Sequence, residues 1–200
     1  MSYIGIIPAR YKSSRFPGKV ICDINGQPMI VRVYDAVKKW DKWKKVYVAT
    51  EDVIVEETCK KFDIPVILTS ELHLDCLDRA AEVVTILEEN EAGADKYIII
   101  QGDEPLFDVS TLNVDLSPSI VNFYTKVQDE EELYGKAASN AVKVVISNNE
   151  RALYFSRHTL PYHQKGTKRS EEEPRFYKQI GVYVFTGEML KLYNQLKPSH

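Results

Sequence analysis

Apolar and polar positions alternate in two ways along the first hundred residues. Four short and mainly apolar runs are typical of strands, and two of them, YIGII and YIIIQ, lack polar alternation, as expected for strands that are buried on both faces. Between them lie three stretches whose apolar residues recur at helical spacing. The predicted strands are residues 4–8, 46–50, 65–68 and 97–101, and the predicted helices are residues 29–40, 53–62 and 77–87. This alternation of strands and helices predicts a mainly parallel sheet with helices on its faces.

The pattern changes after Pro105, where helical spacing becomes scarce. Strand-like runs at residues 120–127, 142–146 and 180–185 are followed by a last helical stretch at 187–196. We expect these strands to add mixed or antiparallel pairs to the sheet and to supply part of a substrate pocket. The strongly polar segment 162–175 predicts a loop. Because no internal repeat or linker composition is visible, residues 1–200 are expected to form one α/β domain.

Composition narrows the classes of function. A chain of 200 residues that is 44% hydrophobic can bury a core, and its net charge of −3 gives no reason to expect nucleic acid or a membrane as a partner. No apolar run reaches membrane-spanning length and the first eight residues do not resemble a signal peptide, so a cytoplasmic protein is expected. Cys22, Cys59 and Cys76 show no spacing that indicates a disulfide framework or a zinc site.

A basic loop, residues 8–19, follows the first predicted strand. It reads PARYKSSRFPGK and carries Arg10, Lys12, Arg15 and Lys19 at the carboxyl end of that strand, where open α/β sheets bind ligands. Forked arginines and compact lysine charges can neutralise a triphosphate and the pyrophosphate that leaves it. The loop has neither a Walker nor a GxGxxG spacing, which disfavours kinases and dehydrogenases. It predicts a polyphosphate site; the alternative is a solvated loop.

A second polar cluster, QGDEP, closes the predicted strand 97–101. Asp103 is the candidate ligand for Mg²⁺, which commonly takes one or two protein carboxylates and completes its shell with phosphate oxygens and water. Gly102 would allow a close approach of the backbone to a ligand. The alternative is an ordinary turn in which Asp and Gly make local hydrogen bonds.

Three segments together resemble the CMP-Kdo synthetases, which are 3-deoxy-manno-octulosonate cytidylyltransferases. They are the opening IIPARYKSSRFPGKVICDINGQPMI, the strand end QGDEP and the stretch NAVKVVISNNERALYFSRHTLP. The resemblance implies a Rossmann-like nucleotidyltransferase fold, CTP as the nucleotide, Mg²⁺ as the cofactor, a small acidic acceptor and a homodimer. It implies in-line attack of an acceptor oxygen on the α-phosphorus, without a covalent enzyme intermediate.

The same resemblance assigns the candidate site residues. Arg10, Lys19 and Asp103 are the expected catalytic residues, with Asp103 as the metal ligand. The expected acceptor-binding residues are Arg157, Gln179 and Tyr183; a surface ion pair is the alternative for Arg157, and packing is the alternative for Tyr183. The expected nucleotide-binding residues are Ala9, Arg10, Ser13, Arg15, Lys19, Arg79 and Gln101.

Three of the departures of the chain from the family pattern bear on its function. Asp75, Cys76 and Leu77 stand where the family has Ser-Gly-Thr, with helix capping the favoured role for Asp75, and Gln179 replaces a sugar-contacting histidine. The family also continues for several dozen residues beyond His200, and that tail supplies acceptor ligands and a second metal-binding aspartate. These departures favour a cytidylyltransferase with a different acidic acceptor. The alternatives are a CMP-Kdo synthetase proper and a nucleotide-binding protein without catalysis.

Overall fold

The structure is a computed structural model that describes residues 1–12, 16–127, 131–136, 138–160 and 176–197. The chain divides into two compact units, one formed by Met1–Val121 with Val182–His200 and the other by Asn122–Gly181. A single domain can contain two such units, so the expectation of one domain over residues 1–200 stays a prediction.

The strands and helices follow the predicted order. The helices are α1 (Met29–Val37), α2 (Val53–Lys61), α3 (Cys76–Glu89), α4 (Glu131–Tyr134) and α5 (Gly187–Gln195). Short 3-10 helices occupy Lys19–Ile21, Val109–Leu112 and Ala138–Asn140. The strands are β1 (Tyr3–Pro8), β2 (Asp23–Ile24), β3 (Gln27–Pro28), β4 (Trp43–Thr50), β5 (Val66–Leu68), β6 (Lys96–Ile100), β7 (Ile120–Lys126), β8 (Lys143–Ile146), β9 (Ala152–Ser156) and β10 (Tyr177–Phe185).

The first unit is built on a sheet whose neighbouring strands are β5, β4, β1, β6 and the end of β10. The strands β5, β4, β1 and β6 run parallel, and Val182–Phe185 pairs antiparallel to β6. All five residues of β6 are buried, which explains why its sequence lacks polar alternation. The predicted α/β fold with a mainly parallel sheet is therefore confirmed.

The order of the strands indicates where a binding crevice is expected. Strand β1 has β4 on one side and β6 on the other, so the chain first builds the sheet outward through β4 and β5 and then crosses to the opposite side of β1 to form β6. Ligands of open α/β sheets bind beyond the carboxyl ends of the strands at such a reversal. The loops that follow β1 and β6 are the basic loop and QGDEP, which brings the two candidate motifs to the same edge.

Helix α3 is the central helix of the first unit and packs against α5. Its buried face includes Ala80, Val83 and Val84, which join the core beneath β1 and β6. Polar contacts also join the two helices: Tyr193 donates its hydroxyl proton to Asp75 at 2.7 Å, and Lys191 pairs with Glu88 at 2.5 Å. The last helix thus completes the core of the unit that contains the amino terminus.

The second unit contains the antiparallel pairs that the second half of the sequence predicts. Strand β8 pairs antiparallel with β9 and with the beginning of β10. Strand β7 also pairs with β10. The first four residues of β9 are exposed, and the sequence did not predict this strand. The predicted polar loop, residues 162–175, lies outside the described residues.

Candidate functional site

The loops after β1 and β6 approach each other through their backbones. The Gly102 amide donates to the Pro8 carbonyl oxygen at 3.2 Å, and the Ala9 amide donates to the Ala49 carbonyl oxygen at 2.9 Å. A Cβ atom on Gly102 would lie 2.7 Å from the Pro8 oxygen, which is too close for any side chain. A glycine at this position lets the two loops meet, as the strand order predicts.

Lys19 and Asp103 form an ion pair that joins the two predicted motifs. Lys19 begins a 3-10 helix directly after Gly18, whose φ of 72° favours glycine, and its ammonium contacts Asp103 Oδ2. The Lys19 side chain is 34% exposed and the Asp103 side chain 40% exposed, so the pair contributes about 0–1 kcal/mol and a ligand can replace it at little cost. The arrangement brings a cation and a carboxylate together at the edge of the sheet where open α/β sheets bind ligands.

Glu104 adds a second carboxyl group beside Asp103. Burial raises the pKa of the Glu104 carboxyl, and the charge of Asp103 raises it further, while Lys19 opposes the change. Among the described residues there is no cluster of three or more His, Cys, Asp or Glu side chains that could hold a metal. A Mg²⁺ site here would therefore resemble the common type that uses few protein carboxylates and many phosphate and water oxygens.

Arg79 is buried, and both terminal nitrogens of its guanidinium contact other side chains of the protein. It is 1% exposed, its Nη2 lies 2.8 Å from Glu51 Oε2, and its Nη1 donates to the Thr69 hydroxyl. Arg79 Nε is buried without an acceptor among the described residues. Burial lowers the pKa of Arg79, and Glu51 opposes that change.

Gln101 is held by a residue that sequence reasoning did not connect with it. Its Nε2 donates to Cys76 Sγ at 3.2 Å, at the beginning of α3. Burial raises the pKa of the Cys76 thiol, and the positive charge of Arg10 opposes the increase. The charge of Arg10 also acts on Arg79, so Arg10 lies near enough to influence both Cys76 and Arg79.

Asp75 has the capping role that the sequence favoured. Its Oδ1 accepts hydrogen bonds from the amides of Leu77 and Asp78 at 2.8 and 3.0 Å, which satisfies two donors of the first turn of α3. Its Oδ2 accepts the Tyr193 hydroxyl at 2.7 Å, a contact that no local sequence pattern indicates. The carboxylate is thereby committed to protein contacts.

The candidate acceptor residues are divided between the two units. In the second unit, Arg157 is exposed and donates from Nη1 to the Ser139 and Asn140 carbonyl oxygens at 2.9 and 3.4 Å. Gln179, also in the second unit, donates from Nε2 to Asn122 Oδ1 at 2.6 Å. Tyr183 belongs to the first unit and packs partly against its core. Their roles toward an acceptor stay predictions.

Two predicted nucleotide-binding residues, Ser13 and Arg15, lie outside the described residues. Ala9 is buried, and Arg10 is partly exposed at the same edge as Lys19 and Gln101. The structure thus brings together loop residues that the sequence separates by most of the first unit. Their binding roles stay predictions.

Comparison with known proteins gives a consistent result. The cytidylyltransferase family model matches residues 4–200. A 3-deoxy-manno-octulosonate cytidylyltransferase of Parabacteroides distasonis is 39% identical, over 100% of this chain and 80% of the relative. The protein of the same name from Francisella tularensis subsp. tularensis is 37% identical, over 97% of this chain and 78% of the relative.

A solved structure gives the same relationship in three dimensions. The chain resembles a CMP:2-keto-3-deoxy-manno-octonic acid synthetase complexed with CTP, with a TM-score of 0.83 and 33% identity, over 100% of this chain and 80% of that one. Within the described ranges, no helix is both long and apolar enough to cross a membrane.

Proposed function

Because the chain belongs to the cytidylyltransferase family, we propose that it is a CMP-Kdo synthetase, which transfers CMP from CTP to 3-deoxy-manno-octulosonate (Kdo) and releases pyrophosphate. The observation that carries the proposal is the similarity of the whole chain to enzymes of that name. The residues that pair at the edge of the first unit, Lys19 and Asp103, have the charges that the reaction requires. The sequence alone favoured a different acidic acceptor; the relatives support Kdo instead.

Arg10 and Lys19 would bind the triphosphate of CTP. A hydroxyl oxygen of Kdo attacks the α-phosphorus in line and forms the new O–P bond. The bond between the α-phosphorus and the oxygen that joins it to the β-phosphorus breaks, pyrophosphate leaves with that oxygen, and the hydroxyl proton passes to solvent. Negative charge accumulates on the leaving pyrophosphate, and fixed cations stabilise it without reorganising. Lys19 can turn from Asp103 to the phosphates because their ion pair is exposed and weak.

Mg²⁺ is the proposed cofactor, and Asp103 is the residue that would hold it. The site suits this ion because its donors are carboxylate oxygens and because Asp103 already attracts a cation, the Lys19 ammonium. When bound, Mg²⁺ neutralises phosphate charge and orients the triphosphate. Glu104 lies next in the chain and adds negative charge to this edge.

Arg157, Gln179 and Tyr183 are the proposed acceptor residues. The exposed guanidinium of Arg157 can form a forked pair with the carboxylate of an acid sugar. Gln179 is the position that favours a second candidate, a cytidylyltransferase for another acidic acceptor. Its amide is bound to Asn122, which limits how it can reach a ligand.

We also propose that the protein forms a homodimer and that it is located in the cytoplasm. Strand β9 exposes Leu153, Tyr154 and Phe155 at 64%, 61% and 40%, and large exposed apolar groups of this kind often lie in interfaces. Light scattering of the purified protein tests the dimer, and a monomer at micromolar concentration would remove that part of the proposal. A cytoplasmic location gives the enzyme access to CTP, and fractionation of cells tests it.

The decisive experiment measures pyrophosphate release with Mg²⁺, each of the four nucleoside triphosphates, and Kdo or a panel of other acidic acceptors. Turnover with CTP and Kdo is expected. Turnover with CTP and another acid, but not with Kdo, would establish the second candidate. Binding of CTP without release of pyrophosphate under any condition would indicate a protein without catalysis.

Two lysine variants, measured in the same assay, test whether Lys19 takes part in the reaction. Lys19→Met should lower kcat/KM for CTP strongly, because the variant loses a charge that faces the leaving group. Lys191→Met is the matched control, since Lys191 also forms an exposed ion pair with a carboxylate, Glu88. Equal activity of the two variants would remove Lys19 from the mechanism.

A further inference from the structure

Lys143 is a buried cation in the second unit whose donors are all used by backbone oxygens. It is 0% exposed at the beginning of β8. Its ammonium donates to the Ala138 carbonyl, to the Ala141 carbonyl at 3.1 Å and to the Arg157 carbonyl at 3.3 Å. An ammonium has three donors, so these bonds satisfy the group completely. No carboxylate among the described residues forms an ion pair with it.

Such an arrangement needs a reason, because a buried charge without a counter-charge is costly. The charged group that acts on Lys143 is Arg157, which has the same sign; burial lowers the pKa of Lys143 and Arg157 lowers it further. The oriented carbonyl dipoles offset part of this cost. An apolar residue could fill the same space without the cost of burying a charge.

The bonds of Lys143 converge on the segment that holds Arg157. The Arg157 guanidinium donates from Nη1 to the Ser139 and Asn140 carbonyl oxygens at 2.9 and 3.4 Å. Lys143 ties down this turn from both ends, at Ala138 and Ala141, and also binds the backbone of Arg157. The backbone and the head group of Arg157 are therefore both positioned by contacts that depend on Lys143.

Arg157 keeps two donor groups that have no acceptor in the described part of the chain. The side chain is exposed, and within the described residues the structure gives no acceptor to its Nε or Nη2. These two groups form one edge of the guanidinium fork, the geometry that binds a carboxylate through two parallel hydrogen bonds. A carboxylate at this edge would also be attracted by the second positive charge, on Lys143.

We propose that Lys143 is a positioning residue that fixes Arg157 for the carboxylate of the acceptor, without touching the acceptor itself. This inference rests on the proposed function, since it takes an acid sugar as the acceptor. In this role Lys143 determines the affinity for the acceptor, although it is buried, and does not affect the binding of CTP.

The test compares Lys143→Met with the wild-type protein in the pyrophosphate assay. The KM for Kdo should rise about tenfold or more, while the KM for CTP and the kcat at saturating Kdo change by less than about twofold. Lys96→Met is the matched control, because Lys96 is also buried and donates to two backbone carbonyls, those of Ser117 and Pro118, in the first unit. It should lower thermal stability but leave the KM for Kdo unchanged.

A double-mutant cycle with Arg157→Met tests whether Lys143 acts through Arg157. If it does, the double variant has the same KM for Kdo as Arg157→Met alone. Multiplying effects would overturn the inference, as would an unchanged KM for Kdo in Lys143→Met. Lys143→Gln, which keeps a donor for one carbonyl, takes the place of the Met variant if that variant does not fold. Absence of wild-type turnover with CTP and Kdo would instead refute the proposed function.

Discussion

Glu51→Gln should destabilise the first unit strongly, because it removes the charge that faces a buried arginine. Arg79 is 1% exposed and the Glu51 side chain 11% exposed, and breaking a buried ion pair from one side costs about 3–5 kcal/mol. Arg79 keeps the Thr69 hydroxyl, and glutamine still offers a neutral oxygen, so the lower end applies, about 3 kcal/mol. At about 2–4 °C per kcal/mol, Tm should fall by about 6–12 °C.

Urea unfolding followed by tryptophan fluorescence measures this cost, since Trp40 and Trp43 both lie in the first unit. Glu88→Gln is the control: its partner Lys191 is 44% exposed, so its loss should cost about 1 kcal/mol or less. Equal stability of the two variants would refute the reasoning. Replacing Glu51 and Arg79 together by methionine should recover most of the loss, because no buried charge is then left unpaired.

The remaining predictions concern the metal ligand, the response to alkali and the contact between α3 and α5. Asp103→Asn should reduce pyrophosphate release about 100-fold or more, measured at saturating CTP and Mg²⁺. Burial raises the pKa of Cys59 to about 12, so its thiol stabilises the fold below about pH 8.5 and this contribution is lost as pH rises toward 12. The stability of Cys59→Ala should therefore depend less on pH in that range. Tyr193→Phe should cost about 1.5 kcal/mol in urea unfolding, because it removes a hydrogen bond to the Asp75 carboxylate.

Each of these predictions has a result that would contradict it. Full activity of Asp103→Asn would exclude it as the metal ligand. An alkaline stability profile of Cys59→Ala that parallels the wild-type profile would assign the loss to other groups, such as Tyr97, whose pKa burial also raises. Wild-type stability of Tyr193→Phe would show that the hydroxyl contributes no net free energy.

Periodicity predicted α1, α2, α3 and the parallel strands of the first unit, and the buried faces of α3 and β6 are the clearest examples. The predicted helix 77–87 is α3, Cys76–Glu89, and the predicted strand 97–101 is β6, Lys96–Ile100. The meeting of the two polar loops was also predictable, since parallel strands carry their following loops to one edge. Strand β9 was missed because its exposed residues provide no buried face whose period could be read.

Other features were missed although a signal was present. Asn25 and Gly26, with φ of 51° and 84°, form the turn between β2 and β3, and Asn-Gly is a strong hairpin signal. Glu51 directly follows β4, so a carboxylate could be expected at the edge where ligands bind. Its partner Arg79 could not be named from the sequence, because long-range pairing depends on how α3 packs. The same holds for the contact of Gln101 with Cys76.

The division of the first unit along the chain bears on the order in which the protein can fold during synthesis. Residues 122–181 are made after most of the first unit and before the segment Val182–His200 that completes it. Until that segment leaves the ribosome, β6 lacks its antiparallel neighbour and α3 lacks the cover of α5. Until then the nascent chain exposes an apolar helix face and an unpaired strand edge, which are surfaces on which chaperones act.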